Sequence, residues 1–281
     1  MEQGRASRTA EIVCMGRAVA HGRTSVRRYA DPTARILLPE AARARVDRLV
    51  TGRAPRGVRE HIEKGYFDVQ AKVMVTRTVV IDDAVRAAAS PELVILGAGL
   101  DGRAWRMQEL RDIVVFEVDH PASQRDKRER ATRLTSFAKD VHFVPVDFQR
   151  DSLDDALARA GHDAARPTTW VWEGVVMYLT PGEVDATLSV IARRSAAKSH
   201  VIAVYHSPAF FLRLVSFFLR RFGEPLRSAY TPEAMKSLLA RHGFEVTSDA
   251  NIPALSKSLS LDLGPAATRI APQRIVTATH R

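Results

Sequence analysis

The residues whose types and spacing could do chemistry lie in the middle of the chain. Gly97-Ala98-Gly99-Leu100-Asp101-Gly102 matches G-x-G-x-x-G and directly follows the apolar run Leu93-Val94-Ile95-Leu96. A buried-type strand, a glycine turn and a helix start make the first half of a nucleotide-binding βαβ unit. Gly97 and Gly99 let backbone approach a ligand where a Cβ would collide. The amides at the following helix start favour polar or negative groups. Asp119, about 20 residues beyond the glycines, stands where an acid can accept both hydroxyls of a ribose. Further acids end later apolar runs: Asp147 after residues 141–146, and Glu173 after Trp170-Val171-Trp172. A ligand at the carboxyl edge of a parallel sheet would meet all of them. The glycine pattern alone also fits a nicotinamide dinucleotide, so an oxidoreductase is one reading. Against it stand the position of the turn far into the chain, the negative Asp101 close to where a pyrophosphate would lie, and the succession of strand-end acids. These suit an adenosine cofactor with ribose hydroxyls, an adenine amino group and a cationic centre, but no phosphate.

The apolar pattern predicts the elements that must position these residues. From 93 onward, strand-type runs at 93–96, 113–118, 141–146, 169–172, 200–205, 244–248 and 274–279 alternate with helix candidates at 103–110, 121–138, 151–160, 181–197 and 231–242. Thr180-Pro181-Gly182-Glu183 reads as an N-cap with an acid three residues on. Thr231-Pro232-Glu233 is similar, and Gly243 is placed to stop its helix. Such alternation predicts an α/β fold: a Rossmann-like, seven-stranded, mostly parallel sheet with helices on both faces. Residues 1–60 carry apolar groups at helical spacing, 58–89 fit one or two helices, and no strand alternation precedes Leu93. Residues 1–90 are therefore expected to form an N-terminal helical cap, and 91–281 the cofactor-binding domain. Phe210, Phe211, Leu214, Phe217, Phe218 and Leu219 form an apolar helical pattern within 206–226. That segment is read either as a core-facing helix or as a lid insertion lining an apolar substrate pocket.

A chain of 281 residues suffices for one large α/β domain with additions. The formal charge of +10 raises nucleic acid, and an RNA methyltransferase with it. The basic residues are spread along the chain without a basic tract or interleaved aromatics, so nucleic acid is not the expected partner. A small-molecule substrate is, and a positive field would help an acidic one approach. No apolar run reaches the ~18 residues of a membrane span. Met1-Glu2-Gln3-Gly4-Arg5 lacks the apolar core of a secretory signal, so a cytoplasmic location is expected. Cys14 is the only cysteine, which excludes an internal disulfide and a cysteine-rich metal site; no metal is expected.

Beyond these readings, the sequence resembles the leucine carboxyl methyltransferase family, especially its bacterial branch. The likeness is carried by Arg77-Thr78, by Val94-Ile95-Leu96-Gly97-Ala98-Gly99-Leu100-Asp101, by Phe116-Glu117-Val118-Asp119-His120-Pro121, by Val144-Pro145-Val146-Asp147-Phe148, and by Trp172-Glu173-Gly174-Val175-Val176-Met177-Tyr178-Leu179-Thr180-Pro181. Ser7-Arg8-Thr9-Ala10, Arg17-Ala18, Asp31-Pro32-Thr33-Ala34, Gly223-Glu224-Pro225 and His242-Gly243-Phe244 extend it over most of residues 7–250. The resemblance implies a class I methyltransferase fold with S-adenosyl-L-methionine as cofactor. It implies that Arg77 grips the methionine carboxylate, as a guanidinium can do bidentately. Gly97 and Gly99 would pass beneath the amino-acid part and ribose, and Asp119 would hold the ribose hydroxyls. Asp147 and Phe148 would flank adenine, with Asp147 accepting its amino group. Glu173 would lie beneath the methionine or sulfonium region.

Two departures from the family pattern stand out. Gly102 occupies a position that is commonly threonine, which creates the dinucleotide-like pattern and is expected to loosen the turn. Gly16 takes the place of a lysine in the eukaryotic members, with Arg17 beside it as a possible assistant to Arg77. The resemblance implies methyl transfer to a carboxyl or hydroxyl oxygen, and an apolar lid would suit a small apolar or polyketide-like acceptor. A carboxylate is already ionised, whereas a hydroxyl needs a positioned base. Tyr178 and His206 follow candidate strand ends, but neither is assigned that role. A non-catalytic module that retains cofactor affinity is the rival reading from another class.

Overall fold

The computed structural model describes residues 8–148, 150–208, 226–264 and 272–281. Its strands are β1 (Glu92–Leu96), β2 (Val114–Asp119), β3 (Asp140–Pro145), β4 (Thr168–Trp172), β5 (His200–His206), β6 (Phe244–Asn251) and β7 (Gln273–His280). They form one seven-stranded sheet of order β3-β2-β1-β4-β5-β7-β6. The first five strands pair in parallel, and β7 runs antiparallel between β5 and β6. Every residue of β1 and β4 is buried. This is why their sequences read as unbroken apolar runs rather than alternations: helices cover both faces. The chain leaves β1 toward β2 and β3, then returns to β4 on β1's other side. A crevice opens at that reversal, above the carboxyl ends of the strands.

Before the sheet come α1 (Arg8–Ala20), α2 (Ala34–Leu37), α3 (Glu40–Val50) and α4 (Gly57–Ala88). Where one or two helices were expected, α4 is a single helix of 32 residues. It ends at Ala89, whose left-handed φ of 47° turns the chain into β1. Gly16 is explained by helix contact, since a Cβ there would sit 2.9 Å from Met74 Cγ. The missing side chain lets α1 lie close against α4. Residues of α1 to α4 share one buried cluster with Leu93 and Ile95 of β1. Val94 and Leu96 point the other way, into a cluster with Phe116, Trp170 and Trp172.

Between and after the strands lie α5 (Arg103–Arg106), α6 (Pro121–Ala131), α7 (Leu153–Arg159), α8 (Pro181–Arg193) and the helices Pro232–Arg241 and Ile252–Ser258. The helix expected at 103–110 breaks at Met107, which is extended, and resumes as a 3-10 stretch Gln108–Asp112. Arg103 and Arg106 both reach buried carboxylates from this short turn, so side-chain ion pairs hold it rather than a long backbone ladder. The helix expected to reach 138 stops at Ala131 because the amides of Phe137 and Ala138 instead donate to the carbonyl of Ala104. α8 starts with the full reciprocal capping box between Thr180 and Glu183. Of the expected lid, residues 209–225 lie outside the described residues. Among the described residues no helix is long and apolar enough to cross a membrane.

Candidate functional site

The carboxyl ends of β1 to β4 open into a cavity of about 860 Å³. Arg77, Gly97, Gly99, Asp119, Asp147, Phe148 and Glu173 all line it. Its volume falls within the ~300–1,000 Å³ typical of small-molecule sites. Gly97 leaves β1 with φ 66°, and a Cβ there would fall 2.2 Å from Val175 Cγ2. The amides of Gly97 and Ala98 donate to the carbonyl of Val118 at 2.8 and 3.0 Å, which ties the turn to β2. Gly99 has φ 48°, and its added Cβ would lie 3.0 Å from that of Ala10. Asp119 ends β2 with both oxygens engaged: Oδ2 accepts the Gly99 N–H, and Oδ1 accepts the His120 N–H at 2.6 Å. Burial pushes its carboxyl above the ordinary value, and the two amides pull it partly back. Glycine turn and acid are thus one unit. On the far side of β2, the Asp147 amide donates to Asp151 Oδ2 at 2.8 Å. Phe148 beside it keeps 39% of its surface exposed.

Glu173, at the end of β4, is the electrostatic centre of the site. Its Oε1 accepts from Arg17 of α1 at 2.9 Å and from Nε and Nη2 of Arg77 of α4 at 3.1 and 2.8 Å. Its Oε2 accepts from Arg103 of α5 at 3.2 Å. All four side chains are buried. Burial opposes ionisation of Glu173, but the three guanidiniums outweigh it and hold the carboxyl far below its usual range. Arg77 shifts the other way for a group in an ion pair. Burial lowers its basicity, and although Glu173 raises it, the charges of Arg17 and Arg103 press it down again. Three cations converge on Glu173, and Arg103 also has Asp82 and Asp101, so the carboxylate is over-compensated while Arg77, which among the described residues ion-pairs with Glu173 alone, is under-compensated. Arg17 Nε is buried without a hydrogen-bond partner. This side of the cavity can therefore accept a further anion.

Arg103 was not singled out from sequence, yet it is fully buried and joins Asp82, Asp101 and Glu173. Its nearness to Asp101, two residues away across Gly102, was the available signal. This pairing corrects the case against a dinucleotide, because Asp101 is neutralised by Arg103 and would not repel a pyrophosphate. Gly102 does not loosen the turn either: a Cβ there would fall 1.9 Å from Thr33 Oγ1. That space is filled by Thr33, itself bonded to Asp31 at 2.6 Å. The third glycine of the pattern packs against the loop before α2. Tyr178 lines the cavity, and its hydroxyl lies 3.3 Å from Thr9 Oγ1. His206 is buried at the end of β5, outside the cavity lining. Burial and the charge of Arg77 push it down to about 4.

Residues 10–192 match the leucine carboxyl methyltransferase family. A Streptomyces coelicolor protein provisionally named an S-adenosyl-L-methionine-dependent methyltransferase is 33% identical over 179 residues, covering 62% of this chain and 62% of that protein. A Mycolicibacterium gilvum protein of the same provisional name is 33% identical over 201 residues, 70% of this chain and 65% of its own length. The chain thus spans less than two thirds of these relatives. Among solved structures, a DUF574 family protein from Streptomyces avermitilis superposes with a TM-score of 0.63 at 12% identity over 99% of both chains. A provisionally assigned methyltransferase from Thermobifida fusca gives 0.58 at 15% identity over 100% of this chain and 97% of its own. Magnesium protoporphyrin IX methyltransferase from Synechocystis PCC 6803, solved with bound S-adenosylhomocysteine, gives 0.52 at 13% over 86% and 95%. At such identities the likeness establishes the Rossmann-like methyltransferase fold. With the sequence match running from α1 to the end of α8, the chain belongs to the leucine carboxyl methyltransferase family.

Proposed function

We propose that the chain is an S-adenosyl-L-methionine-dependent O-methyltransferase acting on a carboxyl or hydroxyl oxygen of a small, apolar or polyketide-like molecule. The observation that carries this reading is the single cavity in which Arg77, Gly97, Gly99, Asp119, Asp147, Phe148 and Glu173 meet. The residues fit the cofactor. Cβ atoms at Gly97 or Gly99 would crowd the turn on which it lies. The under-compensated Arg77 and the partnerless Arg17 Nε suit its methionine carboxylate. Asp119 would accept the ribose hydroxyls, Asp147 and Phe148 would hold adenine, and Glu173 would fix the two arginines beneath the methionine part. When bound, the cofactor supplies a methyl group on a sulfonium.

The chain's own task is to hold an acceptor oxygen in line with that methyl in a water-poor site. In a single displacement the acceptor oxygen would gain the methyl that the bound cofactor would supply, as the sulfur–methyl bond broke and the sulfonium became a neutral thioether. A carboxylate acceptor gives up no proton, whereas a hydroxyl must lose one. Among the described cavity residues the acids already have partners: Asp101 has Arg103, Glu173 its arginines, Asp119 two amides, Asp147 the Arg150 guanidinium at 3.9 Å, Asp151 the Asp147 amide, Asp154 Arg193 and Arg194, and Glu183 Thr180. This favours the carboxylate over the hydroxyl. Calorimetry with S-adenosylmethionine, S-adenosylhomocysteine and nicotinamide cofactors tests the site. Binding of neither sulfur compound would sink the reading. A screen with labelled methyl cofactor against carboxylic acids and phenols then tests the acceptor; base-labile label on the acids is expected. Cofactor binding with no transfer to any acceptor would point to the non-catalytic module.

A further inference from the structure

Far from the cavity, the first half of α4 carries an apolar stripe that stays largely in solvent, its one ring contact among the described residues being Tyr66 edge-on against Phe67 at 5.2 Å. Val58, Ile62 and Tyr66 are 77%, 67% and 50% exposed, three of the large hydrophobic side chains that the fold leaves in solvent. They recur every fourth residue, so they share one side of the helix. Phe67 anchors the opposite side: it is buried, with the Arg45 guanidinium over its ring at 5.3 Å. The stripe therefore faces away from the body of the protein. Beside it lies Gly65, a helix-interior glycine. Glycine weakens a helix relative to alanine, and a Cβ at 65 would meet nothing within 4 Å. The chain itself has no steric need for glycine there. A group arriving from outside would. Exposed apolar stripes of this kind mark interaction surfaces.

The charges around the stripe decide its occupant. Between residues 53 and 68, Arg53, Arg56, Arg59 and Lys64 are nearly balanced by Glu60, Glu63 and Asp68. An anionic lipid surface selects basic excess, so a membrane is the poorer fit. The pattern is instead complementary to itself. We infer that two copies of this chain dock through α4, antiparallel, with the two-fold axis beside Ile62. At ~100° and ~1.5 Å per residue, this register sets Ile62 against the partner's Ile62. It sets Val58 level with the partner's Tyr66 and one residue from the notch at the partner's Gly65, with Arg59 about 3 Å along the axis from the partner's Glu63. Among the described residues Arg59 makes no ion pair within its own chain, and Glu63 is bound to Arg45 through Oε1 only. Such an isologous contact closes on itself. Arg77 lies about 22 Å further along the same helix, so the dimer leaves the cavity open. A contact of a few helical turns is small beside standard interfaces, which makes it a concentration-dependent equilibrium.

Sedimentation equilibrium of the full chain across a concentration series tests the inference. A monomer–dimer equilibrium is expected for the wild type. Ile62→Glu and Gly65→Leu should each raise the dissociation constant more than about tenfold, the scale of a central interface residue. S-adenosylhomocysteine affinity, unchanged in both, reports that they remain folded. Mild oxidation of Ile62→Cys should give a disulfide-linked dimer across the axis, because the native Cys14 is buried. A wild type monomeric at every concentration would overturn the inference, as would a dimer indifferent to both substitutions. So would flotation of the wild type, but not of Ile62→Glu, on phosphatidylserine vesicles, since that result assigns the stripe to a membrane.

Discussion

At the scale of single residues, the site separates charge that binds a ligand from charge that holds the fold. Asp119 belongs to the first kind under the proposed function. Replacing it by Asn keeps its shape but removes the charge that two ribose hydroxyls would meet. Hydrogen bonds to charged groups contribute ~1.5–3 kcal/mol, so Asp119→Asn should weaken S-adenosylmethionine binding ~10–100-fold, read by titration calorimetry. Unchanged affinity would remove Asp119 from the site. Glu173 belongs to both kinds. Glu173→Gln leaves Arg17, Arg77 and Arg103 buried around a neutral amide, and loss of one partner of a buried ion pair costs about 3–5 kcal/mol. Chemical denaturation of the cofactor-free protein should show that loss. The same substitution should impair folding more than Asp119→Asn, whose acid is held by two amides and no cation.

At the scale of elements, the turn after β1 makes the sharpest test. Gly97 needs its positive φ of 66° and also needs the room that Val175 Cγ2 would deny a Cβ at 2.2 Å. Gly97→Ala should therefore destabilise through two separable causes. Adding Val175→Ala removes the clash and should recover part of the loss, leaving the ~1–2 kcal/mol cost of a left-handed non-glycine residue. Equal stability of the single and double variants, by thermal melting, would show that Val175 does not constrain the turn. The glycine turn, the strands and the strand-end acids were legible in sequence because each depends on local pattern: apolar runs, glycine spacing, and an acid after each run. Thr180 and Gly243 were legible for the same reason, with the expected cap and a φ of 81° at the helix stop. What depends on distant packing was not. Gly102 and Gly16 owe their identity to Thr33 and Met74, far away in sequence, and the role of Arg103 depends on Asp82 and Glu173, which only the fold brings to it. The break at Met107 follows from those same buried pairs.

At the scale of the molecule, helices α1 and α4 and the sheet meet across buried charge, so ligand binding and folding should be coupled. A ligand that binds only the folded state stabilises by about 2.7 kcal/mol at a hundredfold excess over its dissociation constant. S-adenosylhomocysteine should accordingly raise the melting temperature, less so in Asp119→Asn at the same concentration. One contribution to the pH dependence of stability comes from a group the site does not use, set against Glu117, which is pushed up to about 7 by burial and acts in the opposite direction. His206 is pushed down to about 4 by burial and by Arg77, against ~6.5 in an unfolded chain. Between those values the unfolded state takes up a proton that the folded state refuses. The contribution of His206 to stability is therefore lost as pH falls from 6.5 toward 4, at about 1.4 kcal/mol per pH unit and roughly 3 kcal/mol in all. Below 4 both states are protonated and the loss stops growing. His162 is depressed to a similar level by burial and Arg194, but it is present in both wild type and a His206→Gln variant and cancels between them. Urea unfolding of the two proteins at successive pH values should show the variant gaining on the wild type as pH drops through this window. A constant difference across it would mean that His206 is already charged, or already exposed, in the folded protein.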